Sequence, residues 1–476
     1  MYKKLYVFLC ITAFFCLSLT DRSYGAAFVY VSNSGDGTVS VIDSLSATVI
    51  DTINVGNGPI GVAVSKGGDS VYVANSTDNT VSVIETINNT VTNTVTVGNS
   101  PWGVAVAQDG DFVYVTNQTD GTVSVISTAD YSVSETIGVG DNPVGIAVTP
   151  EGDLVYVANN GSATVSVIST DDYSEDEIEV GDNPVGVTVT SDGSAVYVTM
   201  SDEDSVYLIS TDDNSVAGSI TVGDWPWGVA VDYELDYTYV ANYEEDTVSK
   251  INNSDSSVSD TIDAGNGPWG VAVTNDGQLL YVVNYLSHTV SRIDLSDNGI
   301  ITIQVGNFPA AIGNFIGGEP PVAPSDLEAK TKSHERIDLS WTDNSSDEYG
   351  FRLERKRGSS GTYRRLATLE PNVTSYSDEG LDYYRTYYYR IVAYNDAANS
   401  DYSNEDSATT EDYDTECFIA ISNFGSPFES NINTNHGIRS ILGIFYFIPL
   451  VLAFFCLTCV GLVIVVRRLK SITTTT

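Results

Sequence analysis

The feature that most constrains this chain is an internal repeat of about 42 residues. The segment Tyr30-Val-Ser-Asn33 recurs as Tyr72-Val-Ala-Asn75, and the matching tyrosines further along are Tyr114, Tyr156, Tyr197, Tyr239 and Tyr281. Successive tyrosines are 41 or 42 residues apart, and a second motif, Gly-[Asn/Asp]-x-Pro, keeps the same interval from Gly56 to Gly306. Seven copies of each motif indicate a fold assembled from equivalent units.

Each unit has the pattern of four short strands. Residues 61–64 are apolar throughout, which is typical of a strand covered on both faces. Two further strands are predicted at Ser70–Asn75 and Thr80–Glu85, and the alternating pattern at 91–97 suits a half-exposed outer edge. No helical period appears in this region, so the repeat predicts an all-β fold.

The two ends of the repeat region predict a closed ring. The chain begins the region at a second strand, 29–32, and ends it with an extra first strand, 310–316, so that together they complete one sheet. Four strands repeated seven times predict a seven-bladed β-propeller over residues 28–317. An open solenoid of β repeats is the alternative, and the complementary ends favour closure.

The two motifs together resemble the YVTN-type β-propeller repeat of bacterial and archaeal surface proteins. The resemblance covers about residues 28–317, with one departure at Tyr197-Val-Thr-Met200, where the asparagine is lost. It implies a propeller at a cell surface, and it is compatible with a purely structural role in the cell envelope.

A second domain follows a proline-rich linker at 318–324. Composition changes sharply there, because 11 of the 21 basic residues lie between Lys330 and Arg390. About seven strand-like runs with a central Trp341 predict a β-sandwich at 325–410. Leu339-Ser-Trp341-Thr-Asp-Asn344 and the run after Tyr387 resemble the fibronectin type III family, in which Tyr387 would be the corner tyrosine. That resemblance implies a spacer or adhesive module.

The termini predict export and membrane anchoring. Lys3 and Lys4 precede an apolar run, so residues 1–27 read as a signal peptide, with an uncleaved N-terminal anchor as the alternative. Residues 441–466 carry no charge and are long enough for one transmembrane helix, and Arg467 and Arg468 then predict a cytoplasmic tail at 467–476. The propeller and sandwich are therefore expected in the periplasm or at the cell surface.

The segment at 411–440 is an acidic linker that contains one cysteine, Cys417. The sequence Cys417-Phe-Ile-Ala-Ile-Ser resembles the Cys-Phe-Ile box found before a C-terminal membrane helix in some exported bacterial proteins. The resemblance implies a sorting or processing role for the thiol, and the alternative is an incidental juxtamembrane cysteine. With the other cysteines in the signal and the membrane span, no internal disulfide is expected.

Composition excludes several classes of function. Lys and Arg number 21 against 63 Asp and Glu, a net charge of −42, so no nucleic-acid partner is expected. The chain has three histidines, and His288 is the only one in the repeats, at a turn position filled elsewhere by Gly, Asn, Ala or Asp. We therefore expect no metal site, no cofactor and no catalytic residue.

A surface of aromatic and acidic residues remains as the candidate site. In a propeller, the loops that precede the first strands share one face with the turns between second and third strands. These positions carry Trp102, Trp225, Trp227, Trp269, Tyr243 and Tyr285, beside many Asp and Glu residues. Exposed aromatic side chains beside carboxylates suit a protein or glycan ligand. The alternatives are that the tryptophans pack between blades and that the acidic turns are merely solvated.

These observations predict a membrane-anchored cell-surface binding protein without catalytic activity. The competing predictions are a propeller enzyme of the lactonase or lyase type and a purely structural envelope component. Fold alone does not separate them.

Overall fold

The computed structural model describes residues 27–411, except for residues 108, 233–235, 319, 346–347 and 396. Nearly all of the predicted signal peptide, and the predicted linker with Cys417, membrane helix and tail, lie outside these residues. Across the described part of the chain, no helix has the length and apolar character needed to cross a bilayer. The span at 441–466 therefore stays a prediction.

The repeats fold into seven four-stranded antiparallel sheets within the described residues, so the seven-bladed propeller is confirmed. We number the blades from the N-terminus. Blade 1 contains β1 (Phe28–Asn33), β2 (Thr38–Asp43) and β3 (Thr48–Asn54), and blade 2 contains β4 (Pro59–Val64), β5 (Ser70–Asn75), β6 (Thr80–Glu85) and β7 (Thr90–Thr96). Blade 3 contains β8 (Pro101–Val106), β9 (Phe112–Asn117), β10 (Thr122–Ser127) and β11 (Val133–Gly138). Blade 4 contains β12 (Pro143–Val148), β13 (Leu154–Asn159), β14 (Thr164–Ser169) and β15 (Glu175–Glu179).

The remaining blades follow the same order from inner to outer strand. Blade 5 contains β16 (Pro184–Val189), β17 (Ala195–Met200), β18 (Ser205–Ser210) and β19 (Ser215–Thr221), with a 3-10 turn at Ser201–Glu203. Blade 6 contains β20 (Pro226–Asp232), β21 (Tyr237–Asn242), β22 (Thr247–Asn252) and β23 (Ser257–Asp263). Blade 7 contains β24 (Pro268–Val273), β25 (Leu279–Asn284), β26 (Thr289–Asp294) and β27 (Gly299–Gln304).

The ring closes through the C-terminal end of the repeats, as the sequence predicts. Strand β28 (Ile316–Gly317) pairs antiparallel with β1 and completes blade 1. Only this end of the predicted strand at 310–316 is regular. The rest bonds to two blades at once, because the Tyr30 amide donates to Phe315 O at 2.8 Å and the Val62 amide of blade 2 donates to Ile312 O at 3.0 Å.

The asparagine of the repeat motif is a buried strand connector. In blade 2, Asn75 Nδ2 donates to Thr80 Oγ1 at 3.1 Å and to Ser82 Oγ at 2.9 Å, which ties the second strand to the third. A Cβ on Gly56 of the other motif would lie 2.7 Å from Asn75 Cγ, so only glycine fits there. The same amide contacts recur at Asn33, Asn117, Asn159, Asn242 and Asn284. The glycine of one motif and the asparagine of the other are therefore conjoined residues of a single packing contact.

Blade 5 shows the effect of losing that asparagine. Met200 takes its place, and within the described residues the hydroxyl of Ser205 is buried without a hydrogen-bond partner. Tyr207 stands where blade 2 has Ser82, and its hydroxyl donates to Glu203 Oε2 at 2.8 Å instead. The departure at Met200 thus changes the local side-chain hydrogen bonds and leaves the four strands of the blade intact.

Glycine on the inner strands sets how closely the blades approach. A Cβ built on Gly145 would lie 2.2 Å from the carbonyl oxygen of Val185 in the next blade, and one on Gly186 would lie 2.3 Å from that of Trp227. Real Cβ atoms do not approach oxygen this closely, so the inner strands pack backbone to backbone.

The C-terminal domain is the predicted β-sandwich. One sheet contains β29 (Ser325–Ser333), β30 (Arg336–Thr342) and β33 (Ser375–Glu379), and the other contains β31 (Gly350–Arg357), β32 (Arg364–Leu369), β34 (Thr386–Tyr394) and β35 (Asp406–Thr409). Trp341 is buried between them at 5% exposure. The amide of Asp382 donates to Tyr387 Oη at 3.1 Å, which is the tyrosine-corner contact expected of Tyr387.

The sandwich packs against the propeller within one compact unit. Its buried Arg352 donates to Asn275 Oδ1 of blade 7 at 3.1 Å, and Asn275 Nδ2 in turn donates to Asn395 O at 2.9 Å. Ion pairs join Lys66 to Asp401 at 3.5 Å and Glu151 to Arg390 at 3.9 Å. The propeller residues involved lie in turns between first and second strands, so the sandwich covers the face opposite the candidate site.

Candidate functional site

The candidate face is built from two kinds of loop. The Gly-Pro loops contain the Gly-[Asn/Asp]-x-Pro motif and lead into the first strand of each blade, and the second turns join second and third strands. The backbone at position x is left-handed in every copy, with φ between 50° and 62°, at Gly58, Ser100, Asn142, Asn183, Trp225, Gly267 and Phe308. This shared backbone places each x side chain at the same point of its blade.

Side chains of the second turns hold the Gly-Pro loops in place. Asn79 Oδ1 accepts from the Ser100 amide at 2.9 Å, and Asp246 Oδ1 accepts from the Gly267 amide at 2.8 Å. His288 does the same in blade 7, since its Nδ1 accepts from the Phe308 amide at 2.8 Å. The propeller's histidine therefore acts as a loop cap, as asparagine and aspartate do in other blades.

Carboxylates of the second turns also have structural partners. Asp36 Oδ2 accepts from the Asn307 amide at 2.7 Å, and the backbone and side chain of Asn307 hold the pKa of Asp36 below its usual value. Asn57 lowers the pKa of Asp78 in the same way. Among the described residues, no group of His, Cys, Asp or Glu is arranged to hold a metal ion. These contacts show that Asp36 and Asp78 hold the Gly-Pro loops in place.

Aromatic side chains of blades 6 and 7 form one continuous cluster, which we call the aromatic strip. It consists of Trp225, Trp227, Tyr243, Trp269, Tyr285 and Phe308. At its centre, Trp269 stacks on Trp227 with ring centroids 3.9 Å apart and on Tyr285 with centroids 4.9 Å apart. The edge of Tyr243 meets Trp269 at 5.8 Å. These ring contacts agree with the sequence-based expectation that the aromatic residues of blades 6 and 7 cluster.

The two ends of the strip are its most exposed rings. Trp225 is 41% exposed and contacts Tyr243 at 6.1 Å, and Phe308 is 43% exposed and contacts Tyr285 at 5.3 Å. Phe308 is absent from the sequence-based candidates. It occupies the same motif position as Trp225, so comparison of the seven motif copies could have found it.

The tryptophans that follow the motif proline are only partly exposed. Trp227 and Trp269 stack on each other across the junction of blades 6 and 7, so they contribute to packing as well as to the surface. Trp102 has the equivalent position in blade 3, and no ring contact joins it to the strip within the described residues. The structure therefore brings five of the six predicted residues together and leaves Trp102 apart.

Acidic side chains border the strip. Asp224 adjoins Trp225 in sequence, and Glu244 and Glu245 follow Tyr243 in the second turn of blade 6; all three are exposed. Burial, then the neighbouring Tyr285 and Glu244, raise the pKa of Tyr243. Glu244 directly follows Tyr243, one of the rings of the strip.

The central channel of the ring is a second region that could hold a ligand. Its lining in the described residues is glycine, valine and isoleucine from the inner strands and the closing segment, including Gly145, Ile146 and Ile312. The closing segment reaches into it, since a Cβ on Gly313 would lie 2.8 Å from Val62 O. These lining residues offer no titratable side chain, and so we assign the candidate site to the strip.

Two family models match parts of the chain. Residues 322–409 match the fibronectin type III domain, and residues 84–176 match the family described as lactonase, seven-bladed β-propeller. No curated protein matches the chain.

Solved structures of similar fold cover the propeller. Hydrazine synthase of Kuenenia stuttgartiensis matches with 21% identity and a TM-score of 0.51, over 56% of this chain and 92% of that one. A protein of unknown function from Desulfotomaculum acetoxidans matches with 17% identity and a TM-score of 0.53, over 60% and 99%. A candidate 6-phosphogluconolactonase from Bacteroides fragilis matches with 14% identity and a TM-score of 0.53, over 61% and 98%. At these identities the likeness establishes the propeller fold alone.

Proposed function

We propose that this chain is an exported, membrane-anchored binding protein of the cell surface or periplasm. In this proposal the propeller holds a protein or glycan ligand on the aromatic strip, and the fibronectin type III domain is its stalk. The YVTN-type motifs and the sequence of the two termini support the location. The backbone of Trp225 and Phe308 carries the assignment of the site.

Both end rings occupy a backbone conformation that large L residues avoid. Trp225 has φ of 55° and Phe308 has φ of 50°, which costs about 1–2 kcal/mol per residue. Burial offsets only part of that cost, because both side chains are more than 40% exposed. A strained, exposed aromatic residue is the kind of local exception that accompanies a functional surface.

We expect Trp225→Gly and Phe308→Gly each to weaken ligand binding about 30-fold while leaving the melting temperature unchanged or higher. Glycine is the natural residue at this position in the loops before blades 2 and 7, so the change to glycine should not destabilise the fold. Binding should weaken because aromatic anchors contribute about 2 kcal/mol or more each to binding. The ligand is found by probing glycan and peptide arrays with the purified chain, and affinity and melting are then measured on each variant.

Ser100→Gly makes the same change in blade 3, away from the strip, and should leave binding unaltered. If both aromatic variants bind with the affinity of the parent chain, the strip is not the binding site.

The location is a separate part of the proposal. Residues 28–440 are placed outside the cytoplasm and residues 467–476 inside, and Cys417 would be a processing or sorting site near the membrane. Protease added to intact spheroplasts should digest the propeller and spare a tag at the C-terminus. Protection of the propeller would contradict this topology.

Lactonase activity is the second candidate, and the family match over residues 84–176 is the observation that favours it. The test is hydrolysis of 6-phosphogluconolactone by the purified chain. A rate above the spontaneous one that survives Trp225→Gly would overturn the non-catalytic proposal. If no glycan or peptide on the arrays binds the chain and no hydrolysis occurs, a purely structural role in the cell envelope is favoured instead.

A further inference from the structure

We propose that the aromatic strip binds a cationic peptide segment, one whose Lys or Arg side chains lie over the end rings and pair with the bordering carboxylates. This inference rests on the proposed function, because it names the ligand class of the same site. Three properties of the strip support it.

The first property is which ring faces remain open. Trp269 stacks on both Trp227 and Tyr285, and Tyr243 meets it edge-on, so the middle of the strip has little free ring face. A sugar ring stacks the C–H groups of one of its faces on such an aromatic face. The free surface is concentrated on Trp225 and Phe308, at opposite ends. A cation over an aromatic face is attracted by the negative charge of the ring's π-system.

The second property is unbalanced charge. Asp224, Glu244 and Glu245 are exposed beside the rings, and no ion pair involves them in the part of the chain that the structure describes. Residues 28–317 contain three basic residues: Lys66, Lys250 and Arg292. Lys66 pairs with Asp401 on the opposite face, and Lys250 lies over Tyr237. A ligand with positive charge would therefore be steered to the strip, and an acidic one repelled.

The third property is extent. The strip runs from the Gly-Pro loop before blade 6 to the loop before blade 1, through a chain of ring contacts across blade 7. A small organic cation would cover one end ring only. An extended segment with alternating cations and prolines can contact both ends, because a polyproline II conformation is already formed before binding.

The test is binding of synthetic (Lys-Pro)5 to the purified full-length chain, compared with (Gln-Pro)5 and with the neutral glycan chitohexaose. We expect (Lys-Pro)5 to bind at least 10-fold more tightly than (Gln-Pro)5 and to weaken as salt is added. Replacing two carboxylates in Glu244→Gln plus Glu245→Gln should weaken (Lys-Pro)5 binding about 10-fold and flatten its salt dependence.

The matched control is Glu177→Gln plus Glu179→Gln, which removes the same charge from the outer strand of blade 4 and should change affinity by less than 2-fold. Equal binding of (Lys-Pro)5 and (Gln-Pro)5, no binding of (Lys-Pro)5 at 1 mM, or no effect of the Glu244 and Glu245 changes would overturn the cationic-peptide inference. If chitohexaose binds instead and Trp225→Gly abolishes its binding, this inference fails while the proposed binding site stands. If Trp225→Gly leaves the binding of every probe unchanged, both fail.

Discussion

A chain that ends at residue 305 is expected to lose the cooperative unfolding transition of the propeller. The truncation removes the closing segment, whose Phe315 is fully buried and whose backbone bonds to blades 1 and 2. Loss of one large buried aromatic side chain costs about 3–5 kcal/mol, and the backbone groups of β1 and β4 would be exposed as well. Since a domain of this kind has a net stability of about 5–15 kcal/mol, most of it would be lost.

The comparison chain ends at residue 318, so that it keeps the closing segment and also lacks the fibronectin domain. Thermal melting followed by circular dichroism, with size-exclusion chromatography for aggregation, separates the two. Identical melting of the fragments 28–305 and 28–318 would show that closure by residues 310–317 does not stabilise the ring.

Gly145→Ala is expected to destabilise the propeller by about 3 kcal/mol or more. The added methyl group would lie 2.2 Å from Val185 O, and the obstacle is backbone on the neighbouring inner strand, which cannot rotate away. Forcing extra volume into packed structure usually costs about 1–3 kcal/mol, and a backbone collision belongs at or above the upper end. Urea unfolding of the two proteins measures the difference.

Gly218→Ala is the matched control, since it adds the same methyl group to a strand of blade 5. Within the described residues no heavy atom lies within 4 Å of a Cβ built there, and Gly218 is exposed on the outer strand. This variant should be neutral or slightly stabilising, because alanine restricts the unfolded chain. Equal stability of the two variants would mean that blade spacing is not set by the inner glycines.

The sequence predicted the fold best where the same residue recurs in the same structural position of every blade. Each Tyr-Val-x-Asn copy lies in the second strand of its blade, and the missing first strand at the N-terminus led directly to the closing strand. Tyr387 was found in the same way, through a motif whose hydrogen bond is local in sequence. The strand positions and the Tyr387 contact are local in sequence. The closing strand pairs Gly317 with Phe28 across the whole repeat region, and it was predictable because the other repeats show which strand the first unit lacks.

The candidate site was harder to predict because it depends on side-chain direction. Trp102, Trp227 and Trp269 have the same position in their repeats, and yet only the last two meet, since adjacent blades are needed to bring the rings together. Phe308 was missed although it has the motif position of Trp225, and its contact with Tyr285 joins it to the strip. The docking of the sandwich through Arg352 was not visible either, because Asn275 lies 77 residues away across the linker.

The position of the closing strand has a mechanical consequence. The chain leaves the ring through β28. Tension applied beyond residue 317 therefore pulls on the two residue pairs that join β28 to β1. Antiparallel pairs at the end of a strand separate one after another under such tension. The sandwich gives the load a second path, because Arg352, Asp401 and Arg390 contact blades 7, 2 and 4 directly. Tension would then be distributed over several blades from the face opposite the aromatic strip. A ligand pulled away from that strip would apply force to these blades before it acted on the pairing of β28 with β1.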